Sequence, residues 1–211
     1  EAEVPALGYT TVILREREAD SYAVYRQPES RSEYPFDPMT LDNGLIRAVF
    51  DPNTGCLISM KDKETGKEFL GGPVCLAVIG QERRTNDAWK IGRYLKTDLL
   101  TDLISIEQKT AGPLQTSFTA SYKWGASKLK VTPILNAGEK ALRFYIEAEW
   151  NEVTGEDSAP LLVFRVPHAQ KIGKYLCDIP GGRIFRAPRN QDIPCQTFCA
   201  AVREDGSALA L

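Results

Sequence analysis

Hydrophobic and polar residues alternate along much of the chain with a period of two, which is the spacing of a β-strand. Between Ser117 and Trp124, aromatic and alanine side chains fall on one face, and serine, threonine and lysine side chains on the other. Residues 142–150 repeat the pattern, with Leu, Phe, Ile, Ala and Trp predicted inward and mainly charged residues outward. This alternation predicts antiparallel sheet with one solvated face.

Turn residues and apolar runs divide the rest of the chain into further strands. Asp-Pro-Asn-Thr-Gly at 51–55 and Glu-Thr-Gly at 64–66 combine turn-forming side chains with glycines that tolerate positive φ. The predicted strands are 4–14, 45–50, 56–61, 67–70, 73–80 and 161–167, with a further strand ending near Lys109 and a long polar loop over 81–94. No helical period of 3.6 persists over three turns. The fold class expected is mostly β, closed as an antiparallel β-sandwich.

A polar, proline-bearing segment over residues 15–40 separates two β units, so we expect a boundary there. The chain begins with Glu1 and stops in the apolar run Gly-Ser-Ala-Leu-Ala-Leu. We therefore expect it to be an excised piece of a longer protein.

Composition and charge limit the kinds of molecule that the chain is expected to bind. The chain has 211 residues, 43% hydrophobic and 26% charged, which is enough for a sizeable core. Its formal net charge is -2 and its basic residues are scattered, so neither nucleic acid nor a membrane is expected as a partner. No apolar run approaches the roughly 20 residues of a membrane span.

Five cysteines, at 56, 75, 177, 195 and 199, make an odd count without close-spaced pairs. This argues against a secreted disulfide framework. His168 is the sole histidine, so a structural zinc site on the chain is not expected. The cysteines are interpreted as reduced, buried thiols, and the predicted localisation is cytoplasmic.

No catalytic motif stands out. Gly-x-Ser-x-Gly, a phosphate loop and a dinucleotide fingerprint are all missing from the sequence. Glu147 and Glu149 share one strand face and could serve glycoside hydrolysis as a carboxylate pair. Alternating charge on an outer face more often serves solubility, so no catalytic residue is predicted.

The segment Asn-Asp-Ala-Trp-Lys-Ile-Gly-Arg-Tyr at 86–94 is the most site-like feature. Asp87, Trp89 and Tyr94, with Arg93, could stack on a sugar and bind its hydroxyl groups, since loops often carry binding residues. These three residues are the candidates for substrate binding. The alternative is a surface loop held in place by a buried Trp89.

Four stretches, in order, carry a resemblance to a known family. They are LDNGLIRAVFDPNTGCLISMKDKETGKEFL (41–70), NDAWKIGRY (86–94), KLKVTPILNAGEKALRFYIEAEWNE (128–152) and DIPGGRIFRAPRNQDIPCQTFCAAV (178–202). Together they resemble the C-terminal β half of glycoside hydrolase family 38, the α-mannosidases. The chain departs from the family pattern at Phe198, where tryptophan is usual, and at Lys90 and Gly92, where acidic residues often occur.

The resemblance implies a galactose-mutarotase-like supersandwich over 41–211, truncated at its C-terminal end, with 1–14 closing a preceding small β domain and 15–40 as the linker. Family members are retaining exo-α-mannosidases that hold one zinc ion. Their zinc ligands and aspartate nucleophile lie in an N-terminal α/β barrel half whose motifs are missing from this sequence, so no catalytic or metal residue is carried over.

The partners implied are that N-terminal catalytic half of the same polypeptide and a mannoside substrate, and a homo-oligomer is compatible with this interpretation. The isolated chain is expected to be inactive. Two other hypotheses stay open. One is a free-standing carbohydrate-binding β-sandwich that uses Trp89 and Tyr94; the other is a mutarotase-type epimerase, which only the fold favours.

Overall fold

The computed structural model describes residues 39–83, 91–189 and 191–211. All of them belong to one compact unit, Phe36–Leu211. The predicted strand 4–14, almost all of the segment 15–40 and the loop residues 84–90 lie outside the described residues. The predicted division into domains therefore stays a prediction.

The described residues form β-strands and no helix, which confirms the predicted fold class. In chain order the strands are β1 (Thr40–Asp42), β2 (Ile46–Phe50), β3 (Leu57–Asp62), β4 (Cys75–Glu82), β5 (Tyr94–Leu99), β6 (Leu103–Ala111), β7 (Gln115–Trp124), β8 (Ser127–Asn136), β9 (Leu142–Glu149), β10 (Ser158–Arg165), β11 (Ile172–Ile179), β12 (Gly182–Arg186), β13 (Cys199–Arg203) and β14 (Ala208–Ala210).

These strands build four antiparallel sheets. The first two have three strands each, in the orders β1-β2-β3 and β10-β4-β5. The other two have four strands each, in the orders β6-β7-β8-β9 and β12-β11-β13-β14. Several antiparallel sheets around a shared apolar core are what a β-sandwich requires.

The core lies where the sheet β1-β2-β3 packs against the sheet β6-β7-β8-β9. The rings of Phe50 and Phe118 meet edge to face, with centroids 4.9 Å apart and planes at 87°. Leu41 and Phe118 are wholly buried, and Leu129 is 1% exposed. Burying one such side chain contributes roughly 1.5–3 kcal/mol, so this contact region contributes substantially to the stability of the unit.

Asn43 ties the β1–β2 turn to the β8–β9 turn. Its Nδ2 donates to the carbonyl oxygens of Asn136 and Glu139, at 2.7 and 2.8 Å. Its Oδ1 accepts from the backbone N–H groups of Leu45 and Ile46, both at 3.0 Å. One side-chain amide thus satisfies polar backbone groups of two turns that are more than ninety residues apart in the chain.

Arg203 joins the fourth sheet to the segment after β3. It is 4% exposed, and its Nη2 donates to the carbonyl oxygens of Glu68 and Phe69 at 3.0 and 3.1 Å. The guanidinium also lies 4.9 Å from the ring centroid of Phe69. Its Nη1 is buried without a hydrogen-bond partner among the described residues.

The structure differs from the sequence prediction most clearly at residues 67–70 and in the loop over 81–94. Residues 67–70 were expected to be a strand but make only isolated bridges, Lys61↔Glu68 and Leu70↔His168. The Glu68 carboxylate accepts from the N–H groups of Met60 and Leu70, both at 2.9 Å, and these bonds replace a continuous ladder. The predicted loop over 81–94 is shorter, because Gln81 pairs with Tyr94 across β4 and β5.

The face of β7 that carries serine and threonine side chains is more buried than the polarity of these residues predicted. Ser117 and Thr119 are 3% and 4% exposed rather than solvated. Their hydroxyl groups are satisfied by those of Thr110 and Thr132, each at 2.7 Å. On β9 the deviation is the opposite, since Ala148 was expected inward and is exposed.

Gly55 and Gly66 provide a matched test of packing against backbone strain. Both adopt positive φ, 67° and 69°, and both close the same kind of turn after an aspartate. A Cβ at Gly66 would meet nothing within 4 Å, whereas one at Gly55 would fall on the Tyr122 hydroxyl and 3.2 Å from the Ala120 Cβ.

We therefore expect Gly66→Ala to lower the free energy of unfolding by about 1–2 kcal/mol, the cost of a left-handed residue with a Cβ. Gly55→Ala should cost about 1–3 kcal/mol more, because the added methyl group overpacks the core. Urea unfolding of both variants measures the difference, and equal losses would contradict this account.

Candidate functional site

Of the three residues predicted to bind substrate, the structure describes one. Asp87 and Trp89 lie in 84–90, outside the described residues. Tyr94 is the first residue of β5 and is 46% exposed. Its hydroxyl group donates to Oδ1 of Asp192 at 2.7 Å. Asp192 comes from the connection between β12 and β13, where no local motif in the sequence marks it as a site residue.

The base of the β4–β5 connection is held by close backbone approach and an ion pair. A Cβ at Gly92 would fall on the carbonyl oxygen of Glu82, so glycine is needed where these chain segments meet. The Arg93 guanidinium bonds the Glu82 carboxylate through Nη2 at 2.8 Å and Nε at 3.2 Å. The close approach therefore accounts for Gly92, one of the positions at which the chain departs from the pattern it resembles.

A cavity of about 320 Å³ lies beside Asp192, at the edge of the β12 sheet. It is lined by Ile184, Phe185, Arg186, Arg189, Gln191 and Ile193. The Phe185 side chain is 56% exposed, and the Lys174 ammonium lies 4.1 Å from its ring centroid. We call the surface formed by Tyr94, Phe185, Arg186, Arg189 and Asp192 the rim surface.

Asp178 anchors the β12–β13 connection onto β11. Its carboxylate accepts from the N–H groups of Gln196 at 2.9 Å, Thr197 at 2.8 Å and Phe198 at 3.1 Å, and from the Thr197 hydroxyl. The hydroxyl bond and the three backbone bonds lower the pKa of Asp178 to about 2. A carboxylate that receives this many donors stays ionised and fixed, which suits a structural role.

The chemistry that the rim surface offers is binding rather than proton transfer. Burial, and then the hydrogen bond and charge of Asp192, raise the pKa of Tyr94 to about 12, so its phenol stays protonated near neutral pH. Two aromatic rings, two guanidinium groups and one carboxylate suit a ligand with several hydroxyl groups.

The family model for the glycosyl hydrolases family 38 C-terminal domain matches residues 41–210. The chain belongs to this family. No curated protein matches the chain significantly. The match covers every strand from β2 to β14.

Glycoside hydrolysis ordinarily needs a carboxylate pair, and the pair predicted as an alternative in this family 38 chain sits on an open sheet face. Glu147 and Glu149 are exposed on β9, opposite Lys130 and Lys128 of β8. The Glu149 carboxylate is 3.9 Å from the Lys128 ammonium. These cross-strand charge pairs agree with the solubility interpretation.

His168 is placed for packing. It is half-buried, and its Nδ1 has no hydrogen-bond partner among the described residues. Burial, and next the charge of Arg203, lower its pKa. Within the described part of this family 38 chain, no carboxylate orients the imidazole as a general base requires.

The described ranges contain neither a metal-binding cluster nor a membrane-spanning helix. No group of three or more His, Cys, Asp or Glu side chains there could hold a metal ion. The described residues therefore do not fit the zinc ion that the resemblance implies. No helix in the described residues is long and apolar enough to cross a membrane.

Asp192→Asn should lower the pKa of Tyr94 from about 12 toward the ordinary tyrosine value, because the negative charge beside the phenol is removed. An ultraviolet titration of the phenolate in both proteins measures the change. Asp205→Asn is the control, since the Asp205 carboxylate pairs with Lys67. An unchanged tyrosine titration in Asp192→Asn would contradict the contact.

Proposed function

We propose that this chain is the β-sandwich segment of a zinc-dependent retaining α-mannosidase, which hydrolyses terminal α-mannosyl residues. The segment itself supports the catalytic half of the same polypeptide. The observation that carries the proposal is the family 38 C-terminal domain match over 41–210. The parent protein works in the cytoplasm, with a mannoside as its substrate.

A supporting role fits the way in which the carboxylates of the sandwich are used. Asp178 holds the β12–β13 connection and Glu68 holds the segment after β3. Glu152 accepts from the Ala126 N–H at 2.9 Å and from the Ser127 hydroxyl at 2.8 Å. Acidic groups committed to backbone donors stabilise the fold and are poor candidates for proton transfer.

Zinc belongs, in this proposal, to the N-terminal half of the polypeptide. The described residues include no suitable ligand set, and no step is assigned to the metal here. The sandwich contributes a rim to the substrate pocket through Asp87, Trp89 and Tyr94. The exposure of Tyr94 and its hydrogen bond to Asp192 support its part in this arrangement.

The first test is activity of the complete gene product. We expect the protein encoded by the complete reading frame to release 4-nitrophenol from 4-nitrophenyl α-mannoside. A chelator should abolish this activity, and added zinc should restore it. The 211-residue chain alone should show no turnover. Hydrolysis by the isolated chain would contradict the supporting role, and a complete gene product that cleaves only other glycosides would contradict the mannosidase assignment.

A second prediction concerns Trp89 and Tyr94 of the segment 86–94. In the complete enzyme, Trp89→Ala and Tyr94→Ala should raise KM for the mannoside severalfold, because each removes a stacking surface worth about 1 kcal/mol or more. Tyr145→Ala is the matched control, since Tyr145 is 60% exposed on the outer face of β9. Unchanged kinetics in both Trp89→Ala and Tyr94→Ala, with folding intact, would show that neither residue belongs to the substrate pocket.

The second candidate function is a carbohydrate-binding module without hydrolase activity. The exposed Phe185, which lines the 320 Å³ cavity, and the exposed Tyr94, which bonds Asp192, favour it. Calorimetric titration of the isolated chain with mannose and mannobiose separates the two candidates. Saturable binding that Phe185→Ala abolishes would favour the module, whereas a supporting segment should bind neither sugar.

A further inference from the structure

Cys177 and Cys199 face each other across two strands. They are paired residues in the register of β11 and β13, and their sulfur atoms are 3.7 Å apart. Both thiols are free in the structure. The two residues are separated by 22 positions in the chain, and the polypeptide between them carries β12 and most of the rim surface.

The hydrogen bonding around Cys199 fixes the type of pair. Its N–H donates to the Leu211 carbonyl at 2.8 Å, and its carbonyl accepts from the Leu211 N–H at 2.9 Å. Both polar groups of Cys199 therefore point away from β11, which makes Cys177–Cys199 a non-hydrogen-bonded antiparallel pair.

Non-hydrogen-bonded pairs bring the Cα atoms to about 4.5 Å, the closest approach in an antiparallel sheet. That distance lies inside the range of about 4.4–6.8 Å over which two cysteines can be bridged. Closing the sulfur gap from 3.7 Å therefore needs side-chain rotation and little movement of the strands.

The two thiols differ in how an oxidant reaches them. Cys177 is 1% exposed, whereas Cys199 is half-buried and so is the point of entry. Burial and the neighbouring Cys177 raise the pKa of Cys199 to about 11, which keeps its thiol protonated and slow to react near neutral pH. Cys195 is exposed and lies four positions before Cys199 in the chain.

We propose that Cys177 and Cys199 are an oxidative modification site that closes to a disulfide when a peroxide is supplied. The Cys199 thiolate attacks one peroxide oxygen, which forms a sulfenic acid and releases hydroxide. The Cys177 sulfur then displaces the sulfenic oxygen, which leaves as water once protonated. Overall, two thiols and one hydrogen peroxide give one disulfide and two waters.

The disulfide would fix the rim surface to the sheet. It would close the chain between 177 and 199, which includes β12, the cavity residues and Asp192. A dithiol reductant would reopen it by thiol–disulfide exchange. This inference does not depend on the proposed function, because it rests on the β11–β13 register, the distance between the two sulfur atoms and the exposure of Cys199.

The test uses the full chain, reduced and then treated with hydrogen peroxide. Trypsin can separate the two cysteines, because it cleaves after Lys174, Arg183, Arg189 and Arg203. The expected product, without reductant, is peptide 175–183 linked to peptide 190–203. The thermal midpoint of the oxidised chain should rise by about 5–10 °C and return on addition of dithiothreitol.

Cys195 shares peptide 190–203 with Cys199, so the decisive protein is Cys195→Ser. The linked peptides and the rise in thermal midpoint should persist in this variant. They should disappear in Cys199→Ser, which keeps Cys177 and Cys195. Loss of the linked peptides in Cys195→Ser would overturn the proposal. So would a free peptide 175–183 from the unsubstituted chain after the exposed Cys195 is fully oxidised.

The second buried pair is an internal comparison. Cys56 and Cys75 flank the Leu57↔Val74 bridge, and they are 3% and 7% exposed. Neither thiol is as accessible to peroxide as that of Cys199. We therefore expect Cys56 and Cys75 still to be free thiols, and to be alkylated after unfolding, when the Cys177–Cys199 disulfide is complete. A link at Cys56–Cys75 that forms first would overturn the assignment of the half-buried Cys199 as the point of entry.

Discussion

The packing of Phe50 against Phe118 is the contact on which the rest of the structure depends. Neither sheet that contributes to it can bury its apolar face alone, since a single antiparallel sheet leaves both faces in water. The edge-to-face rings bring β2 and β7 together, and the buried side chains around them close the layer. The links made by Asn43 and Arg203 add direction to this contact, because each satisfies specific backbone carbonyls on a distant segment.

The strands could be predicted from the sequence wherever one face is wet and the other buried. Residues 142–147 follow that rule, and their alternation set both the element and its faces correctly. Residues 67–70 do not, because the Glu68 side chain takes hydrogen-bond donors that a neighbouring strand would have used. Ser117 and Thr119 misled the assignment of faces, since paired hydroxyl groups let polar side chains be buried at little cost.

The candidate site was less accessible to sequence reasoning. Tyr94 was found because it ends a loop rich in aromatic and charged residues, and the structure adds Asp192, which lies 98 positions further along the chain. Nothing local in the sequence signals such a contact, as it depends on how two sheets are placed. Cys177 and Cys199 are the same kind of case, since only the strand register reveals that they are partners. Asp87 and Trp89 stay predictions.

The buried Arg203 also shapes how the fold responds to acid. Burial of His168, and next the permanent positive charge of the Arg203 guanidinium, disfavour a second cation there and lower the pKa of His168. In the unfolded chain neither burial nor Arg203 disfavours protonation of His168. Between the ordinary histidine pKa of about 6.5 and the lowered native value, the unfolded chain therefore binds a proton at His168 that the folded chain does not bind. Acidification through that window therefore lowers the free energy of unfolding, and the burial of His168 beside Arg203 is the cause of this contribution.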